Sequence, residues 1–249
     1  MAAATIWIPY CGAAPIPAEI WSRWNFDPVL VAALAGGAVL CHFAGRYRRS
    51  QRTVHFGAAL ALFLFLFVSP FCALSSALFS ARVVHHVLLV TVAAALLAAA
   101  FPVPQVRGRG ALAWATAAQT IVFWLWHAPP AYAWALSSDT AYWLMQLSLV
   151  GSAVAFWAMV RRASAPAAAG ALLATMVQMG LLGALITFAA RPLYAPHFVS
   201  TVAWGYSALE DQQLAGLVMW APAAGLYLGA ALWLLARWIG PDVERALPG

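Results

Sequence analysis

The stretch Ser80-Ala81-Arg82-Val83-Val84-His85-His86-Val87-Leu88-Leu89-Val90-Thr91-Val92-Ala93-Ala94-Ala95-Leu96-Leu97-Ala98-Ala99-Ala100-Phe101 decides the fold. It carries one charge, Arg82, and no proline or glycine interrupts it. A helix that crosses a bilayer needs roughly 20 mainly apolar residues, and this run supplies them. Its apolar residues are continuous, without the period-two alternation of a membrane β-barrel strand. Six more segments read the same way: about Asp27–Gly45, Thr53–Cys72, Gly110–His127, Thr140–Val160, Pro166–Ala189 and Gln213–Trp238. Charged residues make up 8% of the 249 and hydrophobic ones 65%, against about 25% charged in soluble domains. The expected fold is therefore all-α: a single bundle of seven transmembrane helices.

Proline and glycine mark the joints, at Pro28, Pro70, Pro102, Pro104, Pro129, Pro130, Pro192, Pro196 and Pro241. Small pairs, Gly36/Gly37 and Gly180/Gly183, are expected to let neighbouring helices approach closely. The chain divides into an external N-terminal segment (1–26), the helical domain (27–238) and a cytoplasmic tail (239–249). Met1–Ile8 has no basic region before an apolar run and is not read as a cleavable signal peptide. Three cysteines cannot build a disulfide framework.

The net charge of +6 comes from arginine alone, since there is no lysine. These arginines sit in short clusters between apolar runs, not on a polar face, which excludes nucleic acid as a partner. With seven helices, Arg46, Arg48, Arg49, Arg52, Arg107, Arg109, Arg161, Arg162, Arg237 and Arg245 share one side, while Arg23, Arg82 and Arg191 share the other. Five of the seven acids (Glu19, Asp27, Asp139, Glu210, Asp211) join the second group. Positive charge stays inside, so the N-terminus is placed outside and the C-terminus in the cytoplasm.

Sorted by depth, the soft and polar residues gather at the outer level. His85 and His86 lie near the outer end of helix three, and His127 ends helix four in Trp124-Leu125-Trp126-His127-Ala128-Pro129-Pro130. Asp211 opens helix seven, Cys72 closes helix two, Met145 and Gln146 lie about a turn into helix five, and Cys11 is in the external segment. Imidazole, thiolate and thioether suit copper, the sulfurs favouring Cu(I). The candidate metal ligands are His86, His127, Asp211, His85, Cys72, Cys11 and Met145. Plainer readings stand beside these. His85 and His86 fit an interfacial pair, and His127 fits an aromatic belt with Trp124, Trp126, Tyr132 and Trp134. Ser207 and Glu210 form an S-x-x-E capping box, and Asp211 suits the same helix dipole. Cys72 is either an inert apolar residue or the disulfide partner of Cys11 in an oxidising space. Met176 and Met179 read as core, and His42 and His55 as solvated edges.

Three blocks carry a family resemblance. They are Phe79-Ser80-Ala81-Arg82-Val83-Val84-His85-His86-Val87-Leu88-Leu89, Trp126-His127-Ala128-Pro129-Pro130-Ala131-Tyr132, and Leu209-Glu210-Asp211-Gln212-Gln213-Leu214-Ala215-Gly216 with Met219-Trp220. Over most of its length the chain resembles a CtaG-type cytochrome c oxidase assembly factor, a seven-helix membrane protein implicated in copper delivery. His86 takes the place of the family's usual helix-three histidine, and His85 stands where glutamine is common. Many members carry an H-x-x-x-H pair in helix five, where this chain has Tyr142 and Gln146. In a subgroup with an external Pro9-Tyr10-Cys11-Gly12 segment, Cys11, Cys72 and Met145 are the candidates to compensate.

The resemblance implies an assembly factor, not an enzyme, in the bacterial cytoplasmic (inner) membrane. It would hold copper, as transient Cu(I), and hand it on from the outer side. Its partners would be an oxidase subunit, a second copper carrier and the lipid bilayer. Two alternatives stay open: a membrane haem-binding electron carrier, for which His42 and His55 are the pair, and a small-solute or metal transporter. The arginine distribution makes the first prediction. A cytoplasm-dependent reporter fused after Pro248 should be active, and activity of a strictly periplasmic reporter there would reverse the orientation.

Overall fold

The computed structural model describes residues 7–47, 51–101 and 110–246, with the side chains of 44–47 and 241–246 left aside. Helices are α1 (Pro28–Tyr47), α2 (Gln51–Val68), α3 (Pro70–Ala77), α4 (Phe79–Ala100), α5 (Ala111–His127), α6 (Pro129–Ala135), α7 (Asp139–Val160), α8 (Ala165–Thr187) and α9 (Ala208–Gly240, continuing to Ala246). No strand occurs among the described residues. Proline occupies the first turn of α1, α3, α6 and α8, where its missing N–H costs nothing and its fixed φ favours the helix.

Five of these helices, α2, α4, α7, α8 and α9, are long and apolar enough to cross a membrane. Pro28–Phe43 is a shorter apolar helix, and α5 has 17 residues, about 25 Å at 1.5 Å per residue. Large apolar side chains point outward along them: Trp114 is 77% exposed, Ile121 66%, Leu147 66% and Leu232 57%. Arg82, His85, His86, His127, His197, Gln146 and Asp211 lie inside instead. A bundle with a wet exterior would reverse that arrangement.

The segments expected from the sequence correspond to α1, α2, α4, α5, α7, α8 and α9 with two differences. The second segment is broken: α2 stops at Val68, and Cys72 belongs to α3. The Ser69 hydroxyl accepts from Phe71 N at 3.2 Å and caps α3. The last helix begins at Ala208, five residues before the apolar run, because its start is set by the capping box. Three helices each widen for one π-helical turn, at Leu64–Val68, Leu88–Ala93 and Met219–Ala223. The third holds Pro222, whose absent N–H disrupts regular helical bonding.

Close approach is confined to particular glycines. A Cβ on Gly183 would lie 2.8 Å from the Gly216 carbonyl oxygen, so α8 and α9 touch backbone to backbone there. Gly37 abuts the Leu60 side chain, not its backbone, whereas Gly36 has no neighbour within 4 Å.

The N-terminal segment folds across one end of the bundle. Gly12, at φ +85°, makes the turn that sends the chain back. Arg23 donates to Ala13 O at 2.7 Å, Trp204 Nε1 to Pro15 O at 3.0 Å, and Asn25 Nδ2 to Phe67 O at 3.1 Å. A disulfide joins Cys11 to Cys72, 61 residues apart and both buried. Closing a loop of that length restricts the unfolded chain by about 4 kcal/mol in the loop-entropy account. Tyr10 stacks on Tyr142 at 5.0 Å, fixing the segment against α7. Burial and the nearby Asp27 carboxylate push the Tyr10 hydroxyl up to about 12. Of the topology arginines, Arg48, Arg49, Arg107 and Arg109 lie outside the described residues. Arg161 and Arg162 follow α7 at the opposite end, and Arg52 opens α2 there.

Candidate functional site

Beneath this N-terminal cap the polar side chains converge, and the contact that places them begins at Asp211. The residue is fully buried. Its carboxylate accepts from Phe79 N at 2.6 Å, Ser80 N at 3.3 Å and Ser80 Oγ at 2.5 Å. Phe79 and Ser80 open α4, whose preceding residue, Leu78, offers no side-chain cap. Asp211 of α9 therefore caps α4 from 132 positions away, satisfying orphan N–H groups and facing the positive end of the dipole. Its sequence neighbour behaves differently. Ser207 Oγ accepts from Glu210 N at 3.2 Å and Glu210 Oε2 from Ser207 N at 2.8 Å, an exposed capping box on its own helix.

Anchored there, α4 carries His85 and His86 inward. His86 faces His127 at the end of α5, with ring centroids 5.6 Å apart and nearly perpendicular, and both residues are buried. His127 Nδ1 lies 2.8 Å from the Phe123 carbonyl oxygen. A carbonyl only accepts, so Nδ1 bears the hydrogen and Nε2 keeps its lone pair. That nitrogen has no protein partner, and neither has either nitrogen of His86. His85 turns toward α2 and α3, edge-on to Phe67 at 4.8 Å and stacked over Phe71 at 6.3 Å. Its centroid is 5.8 Å from that of His86. The three imidazoles form a row, and no three His, Cys, Asp or Glu side chains among the described residues converge as a metal cage does.

One turn before His86, Arg82 is completely buried. Its Nε donates to Ser75 O at 3.1 Å and its Nη1 to the Tyr142 hydroxyl at 3.4 Å, and its guanidinium carbon lies 5.3 Å from the Tyr142 ring centroid. The Tyr142 hydroxyl is also 3.6 Å from Cys11 Sγ, so one phenol links the guanidinium to the disulfide. Gln146 follows one turn along α7, buried, with its amide directed at the Tyr142 hydroxyl.

A second polar group closes the site. Tyr132 hydroxyl and His197 Nε2 are 2.7 Å apart, and His197 Nδ1 lies 3.3 Å from Ala77 O. The carbonyl requires the hydrogen on Nδ1, so Tyr132 donates to Nε2. Burial pushes His197 down to about 3, keeping it a neutral imidazole. Tyr194 stacks on Phe79 at 3.8 Å and donates to His127 O at 2.8 Å, tying the ends of α4 and α5 together.

The structure brings His86, His127 and His85 into one group and sets Asp211 at its rim. Asp211, a candidate metal ligand in the sequence, has its oxygens engaged by the start of α4, and no histidine among the described residues lies within 4.0 Å of them. Cys11 and Cys72 are bonded to each other, the disulfide alternative, so neither sulfur is a thiolate in this state. Met145 is buried on α7 beside Gln146. His42 stacks edge-on against Phe43, far from this end. Sequence reasoning missed Arg82, His197, Tyr132 and Tyr194 as parts of the site. Arg82 had a signal, as a lone charge in an apolar helix; His197, in a loop, had none. Replacing Asp211 by Asn should cost about 1–3 kcal/mol, the range for a lost buried acceptor. An unfolding midpoint unchanged from wild type would refute the cap.

A model of the cytochrome c oxidase caa3 assembly factor family (Caa3_CtaG) matches residues 34–240, which include α2 through α9 and every histidine of the site. No curated protein and no solved structure matches the chain. With most of its length matched, the chain belongs to the cytochrome c oxidase caa3 assembly factor family.

Proposed function

We propose that this protein holds a copper(I) ion transiently between His86 and His127 and passes it to a haem-copper cytochrome c oxidase subunit from the outer side of the bacterial cytoplasmic membrane. In this reading all seven long helices cross the membrane, with the N-terminal cap and its disulfide outside. The protein acts by holding and transfer, with no reaction catalysed. A second copper carrier supplies the ion.

The facing imidazoles carry the reading. His86 and His127 are buried, their rings are 5.6 Å apart, and His127 keeps an unshared Nε2 lone pair. Imidazole nitrogen suits copper, and a histidine whose other nitrogen donates to a carbonyl has the fixed tautomer of a metal ligand. Two nitrogens without a carboxylate make a weak, low-coordinate site, which suits cargo more than a resident ion. The disulfide removes the thiolates that would bind Cu(I) most tightly. Tyr142 and Gln146 supply no imidazole, so the ion depends on the α4–α5 pair.

Replacing His86 or His127 by alanine should lower bound Cu(I) at least tenfold and reduce oxidase activity while the protein still inserts, the tenfold corresponding to about 1.4 kcal/mol. His42→Ala should change neither. Copper retention equal in all three variants, measured after anaerobic purification, would refute the assignment.

A further inference from the structure

We infer that Arg82 forms the centre of a second site at the same end of the bundle, one that binds a small monovalent anion. The guanidinium is wholly buried, and no carboxylate among the described residues lies within 4.0 Å of it. Asp211, which caps the same helix, is engaged by Phe79 N, Ser80 N and Ser80 Oγ. A buried charge is costly unless it is paired. Here the protein offers the cation Ser75 O, the neutral hydroxyls of Tyr142 and Tyr132 and the face of the Tyr142 ring, none of them a counter-charge. Arg82 Nη2 makes no hydrogen bond.

The surrounding groups point the same way. A neutral imidazole has one N–H, a primary amide two, and a guanidinium five with no acceptor. Arg82 Nη2 and His86 thus present unpartnered donors beside one fixed positive charge, with the His85 imidazole and the Gln146 amide next to them engaged by the Leu66 carbonyl and the Tyr142 hydroxyl. Donor surplus with positive charge is the signature of an anion site, the reverse of a cation cage. His85, His86 and Gln146 are each no more than 1% exposed, and the Cys11–Cys72 disulfide lies over Tyr142. Groups buried this deeply are reachable by a small monovalent anion such as a halide or formate, and not by a phosphate ester or a peptide. The proposal goes beyond copper holding but bears on it. An anion at Arg82 would offset the field that repels a cation from the neighbouring His86.

The test is made without copper, so its outcome is separate from that of the copper reading. Purified protein in detergent is transferred to gluconate buffer, and chloride, bromide or formate replaces gluconate at constant ionic strength. An anion that binds only the folded state raises the unfolding midpoint as its concentration passes Kd. A saturable rise with chloride and bromide identifies a halide as the occupant, and one with formate alone identifies a carboxylate; either supports the site. Arg82→Gln should weaken the effect roughly tenfold or more, as expected for losing a charged hydrogen bond. Where that variant does not fold, bromide anomalous scattering from wild-type crystals should place the ion within hydrogen-bond reach of Arg82 Nη2. No saturable rise with any small anion, an unchanged rise in folded Arg82→Gln, or bromide located elsewhere would each overturn the proposal.

Discussion

The carboxylate of Asp211 on the first turn of α4 is the contact from which the rest of this site follows. α4 begins without a side-chain cap of its own, and inside a bilayer orphan N–H groups have no water to turn to. An acceptor from α9 supplies three bonds at that point. The bond fixes the height and rotation of α4, and thereby where Arg82, His85 and His86 sit relative to α5 and α7. Tyr194 then ties the same turn to the end of α5 by stacking on Phe79 and donating to His127 O. His86 and His127 face each other because both helix ends are held by these contacts.

Around that anchor the protein keeps its polarity inside and one end closed. The disulfide and the Tyr10 stack hold the N-terminal segment over α3 and α7. Below it lie a row of imidazoles, a guanidinium and an amide, with both His86 nitrogens, His127 Nε2 and Arg82 Nη2 unpartnered. Buried polar groups in native proteins are nearly always satisfied, so such a concentration marks a place built to receive something. The family supplies the context, an oxidase assembly factor. In the reading proposed above, what is received is a soft cation at the facing imidazoles and an anion at Arg82.

Much of this could be read from the sequence, for identifiable reasons. The long helices were legible because apolar runs of that length have one use, and the capping box of α9 because its partners are three residues apart. The grouping of His85, His86 and His127 followed from counting helices. The break at Ser69–Pro70 was hidden within one apolar run, and the π-helical turns leave no composition signal. The role of Asp211 depends on a partner 132 residues away, which no local pattern encodes. Arg82 was counted as a charge that sets topology, although a lone arginine among valines is also a buried cation in want of a partner. Tyr132 looked like an interfacial aromatic, yet it is fully buried and bonded to His197.

The central claim is that two imidazoles, and no sulfur, hold the copper. X-ray absorption at the copper edge of Cu(I)-loaded protein with its disulfide intact tests this most directly. The account predicts a low-coordinate first shell of nitrogen with the outer-shell scattering of two imidazole rings. A shell containing thiolate sulfur, or a protein that retains no copper while correctly folded, would contradict it.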